Sequence, residues 1–324
     1  MSLALCTTSH SPLMGVNDPG EQTTAAVEES FAAARRFVSE FDPELVLLFG
    51  PDHYNGFFYD MMPPFCVGTG ARSIGDYGTA AGALPVDRDA AYAVVRDVLG
   101  EGIDLAYSER MYVDHGMAQP LEVLFGRIDA LPVVPVFVNS VAEPLGPVSR
   151  ARRLGESIGR AVAGLDRRVL VVGSGGLSHD PPVPRMQDAP PEVAERLIDG
   201  RNPSPEQRAA REQRVFATGL AFAAGEASIA PLNPEWDRRL MGLLAAGDFG
   251  EIDSWSNDEF VEKAGHSSHE VRTWIAAYAA LSTAGPYRVE TSFYRPIPEW
   301  IAGFGVTTAR SAGGARIDPA ASAA

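Results

Sequence analysis

Apolar residues fall along this chain in short unbroken runs, separated by longer amphipathic stretches. Leu3-Ala4-Leu5-Cys6 leads into Ser9-His10-Ser11-Pro12, a pattern that predicts a strand feeding a loop. After Asp18-Pro19-Gly20, residues Val27, Phe31, Ala34 and Val38 share one face of a helix. Leu45 to Phe49 is apolar throughout and runs straight into Gly50-Pro51-Asp52-His53-Tyr54-Asn55-Gly56, which suits a strand covered on both faces. Ala90 to Leu99 reads as a helix. Val133 to Val138 reads as a strand that Pro135 should interrupt or confine to a sheet edge. Leu154 to Ala163 is again helical, and Arg168 to Val172 is a buried strand ending in Gly173-Ser174-Gly175-Gly176-Leu177-Ser178-His179. Alternating strand and helix predicts an α/β fold, one domain with a central, mostly buried sheet flanked by helices.

Beyond His179 the pattern changes. Asp180 to Pro184 and Ala189 to Pro191 are turn-rich, and Glu206 to about Glu226 is polar and helical, suited to a lid or a subunit contact. Helical segments continue over Trp236 to Ala246 and Asn257 to Leu281. With no repeat or linker evident, residues 1–308 are expected to form one domain. Residues 309–324, small and polar, are expected to form a disordered tail.

Composition narrows the function. The chain has 324 residues, 45% of them hydrophobic, enough for a large core. A net charge of -15 argues against nucleic acid or an anionic membrane as a partner. An anionic substrate would therefore need local arginines. Cys6 and Cys66 are too few for a disulfide framework, which points to a reducing cytoplasm. The opening Met1-Ser2-Leu3-Ala4-Leu5-Cys6 lacks a basic region and a long apolar run, so neither a secretory leader nor a membrane span is expected. Lys263 is the only lysine and lies in a polar stretch, which argues against phosphate-loop and Schiff-base chemistry.

Histidine placement is the informative signal. Of six histidines, His10, His53, His115 and His179 lie in turn-rich segments, three of them directly after apolar strands. Loops at the carboxyl ends of strands are where open α/β sheets build their sites. A single loop histidine is usually solvated; four in like contexts weaken that reading. His266 and His269 precede a helix in Gly265-His266-Ser267-Ser268-His269-Glu270-Val271-Arg272-Thr273-Trp274. Ser267 and Glu270 have capping-box spacing, so Glu270 either caps that helix or, on a face shared with Trp274 and Tyr278, is a buried carboxylate in need of a partner. Two histidines and one carboxylate, with positions left open, form the facial set of non-haem Fe(II) oxygenases, although zinc can use the same donors.

Several segments carry a family resemblance: Ser9-His10-Ser11-Pro12, Gly50 to Tyr59, Val113-Asp114-His115-Gly116, Gly173 to His179, and Tyr294-Arg295-Pro296-Ile297-Pro298-Glu299-Trp300-Ile301-Ala302-Gly303-Phe304-Gly305. Together they resemble the class III extradiol dioxygenases of the LigB-like superfamily, nearly to the end of the chain. The resemblance implies a LigB-like fold and an Fe(II) enzyme that opens a catechol ring with O2. The implied substrate carries a short carboxylate side chain, propionate or cinnamate, and the product is a 2-hydroxy-6-oxo-dienedioate. It implies His10, His53 and Glu270 as iron ligands, although Glu259 and Glu262 lie near the third position. It implies His115 as proton donor, His179 as proton acceptor, and assembly into a homo-oligomer. Arg295 is a candidate for the side-chain carboxylate, and Trp255, Trp274, Phe57 and Phe58 are candidates to line the ring pocket. The competing readings are a zinc or dimetal hydrolase on the same histidines and a non-catalytic binding protein of the same superfamily.

Overall fold

The computed structural model describes residues 2–312. In chain order the first half contains β1 (Ser2–Thr8), α1 (Glu21–Phe41), β2 (Leu45–Gly50), β3 (Phe65–Gly68), β4 (Ala71–Ile74), β5 (Ala81–Ala83), α2 (Arg88–Gly100), β6 (Ala106–Ser108), β7 (Met111–Val113), α3 (His115–Phe125) and β8 (Val133–Val138). The second half contains α4 (Ser149–Ala163), β9 (Arg168–Ser174), α5 (Pro191–Asp199), α6 (Pro205–Ala223), α7 (Pro234–Ala246), α8 (Phe249–Asp253), α9 (Asn257–Ala264), α10 (Val271–Ser282), β10 (Tyr287–Ile297) and β11 (Ala302–Ser311).

Eight strands form one sheet in the order β10-β11-β1-β9-β2-β8-β3-β6. Its centre, β1, β9, β2 and β8, is parallel. β11 closes one side antiparallel to β1, and β3 runs antiparallel to β8 on the other. A small sheet, β5-β4-β7, stands apart.

The apolar runs are unbroken because both faces are covered. Leu3, Leu5, Leu45, Leu47, Phe49, Val134, Val136, Val169 and Val171 point into one core layer, with residues of α2, α4 and α10. The alternate positions Ala4, Cys6, Val46, Leu48, Val133, Leu170 and Val172 point into the other, with residues of α1 and α3. α10 is buried on every side, from Val271 to Leu281. It lies close against α4: a β-carbon on Gly155 would come within 2.1 Å of the Ala276 carbonyl oxygen.

Two expectations change. Pro135 neither interrupts β8 nor sits at an edge, since β8 runs whole between β2 and β3. Val133 directs its N–H away from β2, to the Pro85 carbonyl. By strand alternation Pro135 has its missing donor on that same side, beyond the β3 ladder, which spans only Val136 to Val138. The boundary at residue 308 falls inside β11, which continues through Ser311 because it stays paired with Tyr287 and Ala4. The remainder of the expected tail, 313–324, lies outside the described residues. The helical segments over Asn257 to Leu281 are two. α9 ends at Gly265 with φ 87°, and a 3₁₀ turn, His266–Glu270, turns the chain into α10.

Candidate active site

The parallel strands deliver their following loops to one edge of the sheet, and the site is built there. His10 follows β1 in a loop latched to β11: Ser9 donates its N–H to the Gly305 carbonyl at 2.8 Å, and the Gly305 N–H donates to Ser9 Oγ at 2.9 Å. His53 follows β2 in a turn organised by Asp52. Its carboxylate accepts the N–H groups of Asn55, Gly56 and Phe57 at 3.0, 2.8 and 3.1 Å, supporting Tyr54 at φ 56°. His115 opens α3, whose first turn is capped by the Asp114 carboxylate on the Gly116 N–H at 2.9 Å. His179 follows β9, and Glu270 ends the 3₁₀ turn before α10.

These residues converge. Glu270 is only 1% exposed, yet it is not the helix cap that its spacing with Ser267 allows. Its Oε1 lies 3.1 Å from His53 Nε2 and 3.2 Å from His179 Nε2, and its Oε2 lies 3.5 Å from His10 Nε2. Oε2 also accepts the Gly176 N–H at 2.8 Å. The glycines before His179 make this approach possible: a β-carbon on Gly176 would sit 2.3 Å from the His179 ring. His115 stacks on His53, ring centroids 4.6 Å apart, and ligand atoms of His10, His53 and His115 lie within 4.8 Å of one another. Glu259 and Glu262 do not enter the site. Glu259 caps α9, and Glu262 pairs with Lys263 on the surface.

Each imidazole is held from behind. The Nδ1 atoms of His10, His53, His115 and His179 meet Ser174 Oγ at 3.0 Å, Asp114 Oδ2 at 3.0 Å, Asp76 Oδ2 at 2.6 Å and the Leu177 carbonyl at 2.8 Å. All four rings therefore present Nε2 to the interior, the arrangement that outer partners impose on metal-binding and proton-transferring histidines. Burial pushes His10 down to about 3, leaving the neutral, ligating form at ordinary pH. Burial also pulls on His53, but Asp114 and Glu270 outweigh it and hold its proton affinity well above the usual value. His179 is raised in the same way, Glu270 overcoming burial. Burial works to raise Glu270, but His179, His10 and His53 keep it well below the usual carboxylate range. A buried carboxylate facing three imidazole nitrogens is a donor set that fits a divalent metal ion.

The cavity over this cluster has a mixed lining. Tyr77, Leu13, Val215 and Ile301 supply aromatic and apolar surface, and Arg196, Arg211 and Arg214 supply charge. None of the aromatic candidates lines it. Trp274 is fully buried, with its indole N–H on the Gly175 carbonyl. Phe57 stacks on Phe137, Phe58 is buried beneath Arg201, and Trp255 packs on Trp236. Arg295 lies elsewhere, its guanidinium on the Gln22 carbonyl. His266 and His269 also stay outside: His266 pairs with Asp180, and His269 stacks on Phe260.

Sequence reasoning missed Asp76, Asp114 and the three cavity arginines. For Asp114 the signal was its place directly before His115. For the others no local pattern exists.

Comparison with known proteins agrees with this geometry. Residues 4–305 match the family described as the catalytic LigB subunit of aromatic ring-opening dioxygenase. A Rhodococcus sp. protein named 2,3-dihydroxyphenylpropionate/2,3-dihydroxicinnamic acid 1,2-dioxygenase is 68% identical, covering 95% of this chain and 98% of the relative. Proteins of the same name from Rhodococcus jostii (65% identical, over 95% of this chain and 98% of the relative) and Mycolicibacterium smegmatis (51%, over 95% and 99%) are also similar. A crystal structure of an uncharacterized Escherichia coli K12 protein shares the fold, with a TM-score of 0.51 at 10% identity, covering 95% of this chain and 99% of that one.

Proposed function

The chain belongs to the LigB family of aromatic ring-opening dioxygenases, and on that premise we propose that it is an Fe(II)-dependent extradiol enzyme for 3-(2,3-dihydroxyphenyl)propionate and 2,3-dihydroxycinnamate. The observation that carries the reading is the buried Glu270 carboxylate, 3.1 to 3.5 Å from the inward nitrogens of His53, His179 and His10, in the lining of one cavity with them.

In this reading His10, His53 and Glu270 hold the metal. His115 also has a nitrogen within reach, but Glu270 contacts His10, His53 and His179 and not His115, and the reading gives His115 proton delivery. Ferrous iron held by three protein groups would supply open positions for both catechol oxygens and for dioxygen, and a route for electrons between them. The remaining work falls to side chains. His179 donates its Nδ1–H to the Leu177 carbonyl, which leaves Nε2, on the cavity side, as the nitrogen that would exchange a proton with a catechol hydroxyl. His115 faces the same space, with Asp76 orienting it to return a proton as the ring carbon skeleton rearranges. Two histidines with different outer partners, a carbonyl and a carboxylate, are thereby assigned opposite roles.

The test is oxygen uptake by anaerobically purified protein reconstituted with Fe(II) and given 3-(2,3-dihydroxyphenyl)propionate. Stoichiometric uptake with a yellow ring-fission product, lost in His179→Ala, supports the reading. No uptake with Fe(II), but ester or amide hydrolysis with Zn(II), overturns it. We further propose a cytoplasmic homo-oligomer, to be checked by light scattering. Both cysteines are free and buried, and among the described residues no helix is long and apolar enough to cross a membrane.

A further inference from the structure

Three arginines converge on the cavity from α5 and α6, and among the described residues none of them has a carboxylate partner. Several other described arginines, Arg36, Arg72 and Arg150 among them, also lack one, but these three share one cavity, in a chain with 42 acidic residues against 27 basic ones. Arg88, Arg127, Arg152, Arg160 and Arg201 each pair with an acid at the surface. Among the described residues the only carboxylate lining the cavity is Glu270, already engaged by Gly176 and the histidines. Arg211 and Arg214 sit three residues apart on α6, hence on one helical face, and Arg196 reaches in from α5. Arg211 is nearest the histidines, its Nη2 donating to the His53 carbonyl at 3.4 Å. Burial, and then the charges of Arg211 and Arg214, lower the proton affinity of Arg196, so the three guanidiniums repel one another. Leu197 and Val215, next in sequence to Arg196 and Arg214, add apolar surface to the same cavity, with Leu13 and Ile301.

Three guanidiniums that meet around one cavity with no carboxylate beside them form a site that an anion would complete. Building on the catechol reading above, we infer that Arg196, Arg211 and Arg214 are the receptor for the side-chain carboxylate of the substrate, with Arg211 making the contact closest to the reacting ring. The apolar lining takes the two-carbon spacer, and the guanidiniums take the anion by charge-assisted, forked hydrogen bonds. The acidic surface then has no part in attracting the substrate; selection occurs inside the cavity.

The experiment compares kcat/KM for 3-(2,3-dihydroxyphenyl)propionate and for the uncharged 3-propylcatechol in the iron-loaded enzyme and in Arg196→Gln, Arg211→Gln and Arg214→Gln. The readout is the ratio of the two values, in which any general loss of activity cancels. Expected is a fall in the ratio of about 10- to 100-fold in Arg211→Gln, carried by KM, and partial recovery in Arg211→Lys. Arg214 is exposed, so its variant keeps the fold and gives an independent arm. A ratio unchanged in all three variants overturns the inference, as does wild-type enzyme that cleaves both catechols equally well. Wild-type enzyme that cleaves neither catechol overturns the dioxygenase reading instead.

Discussion

Glu270 Oε2 accepts the backbone N–H of Gly176 at 2.8 Å, joining the start of α10 to the loop that follows β9. This bond fixes the carboxylate while its other oxygen faces His53 and His179. Glu270→Gln keeps the shape but removes the charge. Iron retained after desalting should fall at least about 100-fold in affinity, and oxygen uptake should fall with it. Full iron content in that variant would remove Glu270 from the ligand set.

Asp114 and Asp76 hold the outer nitrogens of His53 and His115, and they should fail differently. Asp114→Asn should weaken iron binding roughly 10- to 100-fold, since on the proposed reading it orients a ligand. Asp76→Asn should leave iron content unchanged and lower kcat by roughly 100-fold, the scale of a mispositioned general acid. Metal analysis beside single-turnover kinetics separates the two.

Much of this was legible in the chain. His10, His53 and His179 follow apolar strands, and parallel strands gather such loops at one edge whatever the sequence between them. Glu270 was legible as a buried carboxylate only because Trp274 and Tyr278 marked its helix face. The ring-holding acids were harder to see. Asp52 adjoins His53 in sequence, yet its carboxylate folds back on its own turn, and it is Asp114 that meets the ring. The aromatic candidates failed because large rings next to site segments fill the core, as Trp274 and Phe57 do. The cavity arginines belong to a polar helix whose inward face only the tertiary structure defines.

The packing of α10 on α4 gives a stability prediction free of the chemistry. Gly155→Ala would drive a methyl group into the Ala276 carbonyl, a backbone atom that cannot move aside by rotation. A loss of about 1–3 kcal/mol or more is expected in urea denaturation.

His269 provides a pH test outside the cavity. Burial, and then Arg272, lower its pKa to about 3. Below about pH 6.5 the unfolded chain takes up a proton that the folded chain refuses, so stability falls as pH drops from there toward 3. His269→Gln removes that dependence. Its stability-against-pH curve should be shallower in this window, by at most about 1.4 kcal/mol per pH unit. Parallel curves for the two proteins would contradict the assignment.

The latch between Ser9 and Gly305 has a consequence for biosynthesis. β1 leaves the ribosome first, but its two sheet neighbours are β9 and β11. At a translation speed of roughly 5–20 residues per second, the nascent chain waits on the order of 15–60 s for β11 after β1 has emerged. Throughout that interval the His10 loop has no anchor on Gly305, so the nascent chain carries an incomplete histidine cluster. On the proposed reading, competence to bind iron and consume oxygen thus begins only when β11 docks.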